Sequence, residues 1–362
     1  MDHKARQRKL QSSLAARRLD AIFIAHPPNL RYLCGFTGSA GVLIISEGKS
    51  AFFTDGRYRQ QAGLEVRGSR VVATRKSALM AATEWLAGNA KKLGLKTLGI
   101  EAENLTMGEH SRLAKALPPG LRLRKAPPLV EQARMIKDQD EIERLRAAVL
   151  LGASLFDVLL KTIRPGIKET EAAARLEYAA RRAGADGMSF DTIIASGTRS
   201  ALPHGRASEA AIPSNGFVVC DFGVILAGYC SDMTRTVHVG KPSGEARRIY
   251  QAVRDAQRAA LDTVKAGVSA GEVDRSARKV LQGNGLGKHF THSTGHGVGL
   301  EIHEAPRLAA GQKDVLQAGM VITIEPGAYI AGAGGVRIED MVVVTETGCQ
   351  VLTPTNKELV TI

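Results

Sequence analysis

Five residues in the last 150 of this chain carry the chemistry: Asp221, Asp232, His296, Glu325 and Glu339. They stand in CDFGVILAGYCSDMTRT, THSTGHGVGLEIHE, VITIEPGAY and GGVRIEDM. Four carboxylates and one imidazole form an oxygen-rich set too large for one cation and suited to two. Carboxylate and water oxygens favour hard divalent ions, and a single histidine is compatible with Mn²⁺, Co²⁺ or Zn²⁺. Two such ions, roughly 3.5–4 Å apart, activate water and clamp a tetrahedral intermediate. The residues therefore point to a dinuclear metallohydrolase.

Elements that place these side chains are legible around them. NGFVVCDFGVILAGYCSDMTRTVHVG reads as a β-hairpin, and a tight turn centred between Leu226 and Ala227 sets Asp221 opposite Asp232. Strand side chains alternate with period two, so any even loop keeps both aspartates on one face. An exposed hairpin with solvated aspartates is the alternative, but FVVCDFGVIL is apolar on both sides of Asp221. A lone histidine is more often structural than a ligand. His296, however, lies in Gly-rich THSTGHGVG with His292 and His303 within twelve residues and Glu301 and Glu304 nearby. Glu325 follows VITI and precedes Pro326-Gly327, at a strand end, whereas Glu339 sits inside the strand-like run VRIEDMVVV. Burying either carboxylate without a cation is costly. Asp340 faces away from Glu339 and reads as structural.

The wider chain is organised to match. Its 362 residues suit about two domains, and 44% hydrophobic with 23% charged residues is ordinary for a globular protein. Before residue 125, strand-like runs at 21–25, 41–46, 50–54 and 97–101 alternate with helical stretches, an α/β pattern. Pro127 and Pro128 place a boundary near 125–132, giving domains 1–128 and 129–362. Helices are expected over 138–163, ended by Arg164-Pro165-Gly166, then 170–182, 244–264 and 270–282, with strands at 320–325 and 335–345. Helices followed by carboxylate-bearing strands thus occur twice, which suggests an internal pseudo-repeat.

No run approaches the roughly 18 apolar residues of a membrane span, and no signal peptide is visible. Cys34, Cys220, Cys230 and Cys349 show no CxxC spacing, so a cytoplasmic location is expected. The net charge of +13 raises nucleic acid as a partner. Its arginines are scattered without an aromatic platform, so no nucleic-acid and no membrane role is expected.

With those motifs set out, the chain resembles the pita-bread metallopeptidases, the superfamily of methionine aminopeptidase, aminopeptidase P, prolidase and creatinase. That resemblance implies a creatinase-like N-terminal α/β domain, carried by PPNLRYLCGFTGSAG and TDGRYRQQA, which methionine aminopeptidases lack. It also implies a C-terminal pita-bread domain with pseudo-twofold helix and antiparallel-sheet halves. Its ligand order Asp, Asp, His, Glu, Glu falls on Asp221, Asp232, His296, Glu325 and Glu339, holding two divalent ions, Mn²⁺ first, with Co²⁺ or Zn²⁺ as alternatives. Asp221 and Asp232 are then expected on one ion, His296 and Glu325 on the other, with Asp232 and Glu339 between them. SALPHG and EIHE supply His204 and His303 for the carbonyl or oxyanion, and His292 fits the proline side of the substrate. Glu325 is also expected to move a proton.

The implied reaction is hydrolysis of the N-terminal Xaa-Pro bond of peptides by an Xaa-Pro aminopeptidase. Prolidase action on dipeptides is the alternative, and a noncatalytic binding protein a remote one. A homodimer is implied. Three further questions stay open. Arg337 orients Glu339 or meets a substrate carboxylate. Tyr229 supports the metal shell or packs in the core. Asp55, Arg57 and Tyr58 reach a neighbouring site or form a local pair in a turn.

Overall fold

All four strand-like runs of the N-terminal region form strands, Ala21–Ile24, Val42–Ser46, Lys49–Asp55 and Thr97–Ile100. In this computed structural model, which describes residues 1–362, they build a six-stranded sheet with two more strands, Arg70–Thr74 and Arg122–Lys125, at its edges. Those edges escaped the sequence reading because RLRK and RVVAT bury little and carry cations, a common way of keeping an edge unpaired. The Ala78–Asn89 helix packs Ala81, Ala82 and Leu86 against Phe23, Ile44 and Phe53. At the TDGRY turn, Asp55 pairs with Arg57 at 2.8 Å, and the Arg57 side chain is 72% exposed. Tyr58 Oη bonds Ser39 at 2.7 Å. This segment is thus a local pair in a turn.

The chain divides into two units, Met1–Arg134 and Met135–Ile362. The division falls at the end of the short helix Leu129–Met135, where sequence had put the break before it.

The second unit repeats one order of elements. Asp138 caps the Gln139–Thr162 helix by accepting from the Glu141 N–H, and Glu141 reciprocates, a capping box. Leu145, Ala148, Leu155 and Leu159 fall on its buried face, and Pro165 prevents its continuation. The Glu169–Arg182 helix follows, then an antiparallel sheet of Ile193–Ser196, Gly216–Phe222 and Met233–Val239. A second helix pair, Gly244–Thr263 and Ala270–Gly283, leads to a five-stranded sheet. Its order is Glu304–Leu308, Gly295–Gly297, Val321–Ile324, Asp340–Val344, Cys349–Val351. Each half has its own core, one around Leu159, Leu176, Val218 and Val237, the other around Val253, Ala277, Ile322 and Val342. No helix is long and apolar enough to cross a membrane.

Two local expectations need correction. The hairpin turns at Ala227 and Gly228, with φ of 47° and 77°, a pair of positive values typical of tight hairpin turns. Asp221 therefore opposes Thr234, not Asp232. A two-residue shift preserves parity, so Asp232 still belongs to the face of Asp221. The run expected as one strand over 335–345 is two, Gly334–Arg337 and Asp340–Val344, in different sheets. Glu339 sits at the break between them and not inside a strand.

Candidate metal centre

Each of the five carboxylate and imidazole groups is delivered by a different feature of the second unit. Asp221 is the penultimate residue of the Gly216–Phe222 strand, and Asp232 immediately precedes Met233–Val239. His296 is the middle of Gly295–Gly297, a strand clamped between two neighbours. A Cβ on Gly295 would lie 2.0 Å from the Thr323 carbonyl oxygen, and one on Gly297 2.2 Å from that of Ala305. Glycine on both sides of His296 is what lets this strand enter the sheet. Glu325 follows Val321–Ile324, and its N–H donates to Thr294 O at 2.7 Å. The Glu339 N–H donates to Thr234 O at 3.1 Å.

The side chains converge. Ligating atoms of Asp232, His296 and Glu339 all lie within 4.8 Å of one another. His296 Nδ1 donates to Gly297 O at 3.0 Å, which leaves the Nε2 lone pair pointing 3.6 Å from Asp232 Oδ2 and 3.7 Å from Glu325 Oε1. Burial holds the imidazole neutral, lowering its pKa to about 4. Burial, and then repulsion from Glu339, Asp221 and Glu325, pushes the Asp232 carboxyl well above its usual range. Glu339 is raised by burial and by Glu325 and Asp221, and burial lifts Glu325 to about 8. Asp221 Oδ1 is buried with no hydrogen-bond partner. An unfilled carboxylate oxygen, a neutral imidazole lone pair and mutually repelling carboxylates fit divalent cations.

Around them lies a cavity of about 850 Å³ whose wall includes all five residues together with His204, His292, His303 and Arg337. The three additional histidines differ in one respect. His204 and His303 are exposed to the cavity and neither ring makes a hydrogen bond, while the His303 ring stacks edge-on against His296 at 4.4 Å. His292 has both nitrogens engaged: Nδ1 donates to Ser293 O at 2.8 Å, and Nε2 accepts from Tyr329 Oη at 2.8 Å. Burial, then Arg337, lowers its pKa to about 4. Its ring edge faces the cavity, but it has no nitrogen to offer a substrate.

Arg337 is equally committed. Its Nη2 donates to Asp221 Oδ2 at 2.5 Å, Nη1 to Tyr329 Oη at 2.6 Å and Pro203 O at 3.0 Å, and Nε to Thr234 Oγ1 at 3.1 Å. Thr234 Oγ1 in turn donates to Glu339 Oε2 at 2.7 Å. Arg337 therefore orients Asp221 directly and Glu339 only through Thr234, with four of its five N–H donors engaged within the protein. Tyr229 is a core residue bonded to Glu141 at 3.0 Å. Asp340 is structural, paired with Arg235 at 2.7 Å and Lys357 at 2.8 Å.

Sequence reasoning passed over Thr234 and Tyr329. Thr234 had a readable signal, since period-two alternation from Asp232 puts it on the ligand face. Tyr329 had none, because its role depends on the Gly327–Ile330 and Gly334–Arg337 strands pairing so that Tyr329 faces Gly335.

Against known proteins, residues 143–346 match the family described as metallopeptidase family M24, and residues 6–136 match the creatinase/prolidase N-terminal domain. An Xaa-Pro dipeptidase of Pyrococcus furiosus is 38% identical over 361 residues, 98% of this chain and 99% of its own length. A solved Xaa-Pro dipeptidase from Bacillus anthracis superposes with a TM-score of 0.95 at 41% identity, covering all of both chains. An X-Pro aminopeptidase from Thermotoga maritima superposes with a TM-score of 0.90 at 36% identity, over 99% of this chain and 100% of its own.

Proposed function

This chain belongs to metallopeptidase family M24, and we propose that within it the protein is a metal-dependent Xaa-Pro peptidase acting on dipeptides. Membership of the family implies divalent metal ions. Asp221, Asp232, His296, Glu325 and Glu339 would hold them. Mn²⁺ suits this oxygen-rich set first, and Co²⁺ or Zn²⁺ also suit it. When bound, the ions supply Lewis acidity and bring the pKa of water toward neutrality.

The protein's own groups divide the remaining work. His303 and His204, with free ring nitrogens at the cavity, hydrogen-bond the scissile carbonyl as negative charge develops on its oxygen. Glu325, at the cavity wall, takes a proton at a carboxylate oxygen and returns it to the departing proline nitrogen. His292 acts at one remove: it fixes Tyr329, which with Arg337 fixes Asp221.

The sequence reading put aminopeptidase action first. The observation that moves the weight to dipeptides is Arg307. Directly opposite His296 in the ladder, it shares that residue's sheet face and lines the cavity, exposed and without an ion pair. A dipeptide presents a free C-terminal carboxylate beside the scissile bond, and a guanidinium is its natural partner. Arg206 also lines the cavity but is paired with Asp191 at 2.9 Å. The names of the Pyrococcus and Bacillus relatives point the same way, and that of the Thermotoga structure favours the longer-peptide reading.

The test is hydrolysis of a matched Xaa-Pro dipeptide and Xaa-Pro-Yaa tripeptide by wild type and Arg307→Ala. Dipeptide preference is expected, with Arg307→Ala raising the dipeptide KM roughly tenfold or more, the value of one charge-assisted hydrogen bond. Tripeptide preference with no dipeptide-selective effect of Arg307→Ala would make the enzyme an aminopeptidase.

A further inference from the structure

The wall of the cavity holds one buried ion pair that neither binds a metal nor serves the chemistry above. Glu304 follows His303 and lines the cavity. Its carboxylate pairs at 3.1 Å with Lys137 Nζ, and the two side chains are only 6% and 1% exposed. Lys137 precedes the Asp138 cap of the Gln139–Thr162 helix. Its N–H donates to Gly319 O at 2.9 Å, and its Nζ also donates to Met135 O at 3.3 Å.

Glu304 organises the loop behind it. Its Oε1 accepts from the Glu301 N–H at 3.2 Å, and the Gly299 N–H donates to Glu301 O at 3.0 Å. Both carboxylate oxygens occupy the space that any side chain at Gly299 would need, since a Cβ there would lie 2.6 Å from each. The carboxylate is thus the filling around which residues 298–303 wrap, and that loop ends in His303. A buried ion pair is a poor investment for stability, because desolvation offsets most of the attraction. What it does supply is direction: two charges bonded at fixed angles hold the loop in one arrangement.

We infer that the Lys137–Glu304 pair is a positioning device that sets the His303 ring at the cavity wall beside His296, and so governs turnover without touching substrate or metal. The inference rests on the peptidase reading above, not on the preference for dipeptides.

Glu304→Ala and Lys137→Met, each alone and combined with His303→Ala, test it in the full chain. The substrate is whichever Xaa-Pro peptide the wild type cleaves. A loss of kcat of roughly 10–100-fold is expected in each single variant, the scale of a misplaced catalytic group. KM and bound metal stay near wild type. The conservative changes Glu304→Gln and Lys137→Arg recover part of the rate. In the His303→Ala background Glu304→Ala costs nothing more, because both act through one ring. An equal loss in both backgrounds, or full kcat in Glu304→Ala, overturns the inference. Where a single variant does not fold, Lys137→Met with Glu304→Met leaves no lone buried charge and carries the same expectation.

A second readout needs no activity. The His303 imidazole NMR signal, assigned by its loss in His303→Ala, is expected to move or broaden in Glu304→Ala while that of His292 stays. An unmoved His303 signal overturns the positioning role. A wild type that cleaves no Xaa-Pro peptide would instead refute the peptidase reading.

Discussion

Glu339 and Asp340 are chain neighbours, 2% and 0% exposed, and they look into opposite electrostatic surroundings. Around Asp340 the protein supplies everything a carboxylate needs: Arg235 at 2.7 Å on Oδ1, Gln257 and Lys357 at 2.8 Å on Oδ2. Arg235 spends its other donors on the carbonyls of Thr234, Glu339, Thr355 and Asn356. Around Glu339 there are three more carboxylates, Asp221, Asp232 and Glu325, and Arg337 is the cation bonded within the group. The difference teaches how to tell a structural buried charge from one awaiting a ligand. The first is neutralised by the chain, whereas the second is left in deficit.

Removing Asp340 should therefore damage the fold, and removing Glu339 should not. Asp340→Ala strands Arg235 and Lys357 and is expected to cost about 3–5 kcal/mol in denaturant unfolding. The folded fraction keeps its metal affinity. If stability were unchanged and metal binding lost, the two regions would have to exchange roles. Glu339→Gln or Asp232→Ala is expected to lower peptidase activity roughly 10²–10³-fold. Chelated, either variant should melt no lower than chelated wild type, because each removes a carboxylate that its neighbours repel.

Next in size comes the effect of the ions. In metal-free protein Glu325 holds its proton up to about pH 8, whereas an unfolded glutamate releases it near 4.5. The folded state then binds more protons than the unfolded one, and stability falls as pH rises through that window. His296 has the opposite sign: its contribution is full above pH 6.5 and is lost as pH falls through 6.5 to about 4. Divalent ions take the place of the protons. At about 100 times the Kd measured at pH 6.5 they should add about 2.7 kcal/mol there, and at that same concentration the gain in Tm should be larger at pH 8. Equal gains at both would show that the carboxylate deficit is not what the ions relieve. The smallest effect separates the histidines. His292→Ala, acting through Tyr329, is expected to lower kcat about tenfold, and His303→Ala about 10²-fold or more.

Much of this was legible because the strongest signals are local. Apolar residues at helical spacing mark the Gln139–Thr162 helix, and four of the five candidate ligands stand out as carboxylates in or beside apolar runs. Less local features were hidden. The hairpin turn falls on Ala227-Gly228, and alanine is not a residue that advertises a positive φ. The break at Glu339 separates strands of two different sheets, and VRIEDMVVV alone cannot reveal that its halves part company. The Lys137–Glu304 pair spans 167 residues. Neither member stands out from other surface-type charges until the fold buries them together.

Asp221 and Asp232 come from the first helix-and-sheet half of the second unit, and His296, Glu325 and Glu339 from the second. Neither half owns a complete binding set, although each has its own core. Ions held as proposed would act as a clasp across a seam, and opening either half would release them. Amide hydrogen exchange in the two cores, at Val218 and Ile322 for instance, is expected to converge on one opening free energy when ions are present. After chelation the two should drift apart, so that the cation sets how cooperatively the unit unfolds as well as what it can hydrolyse.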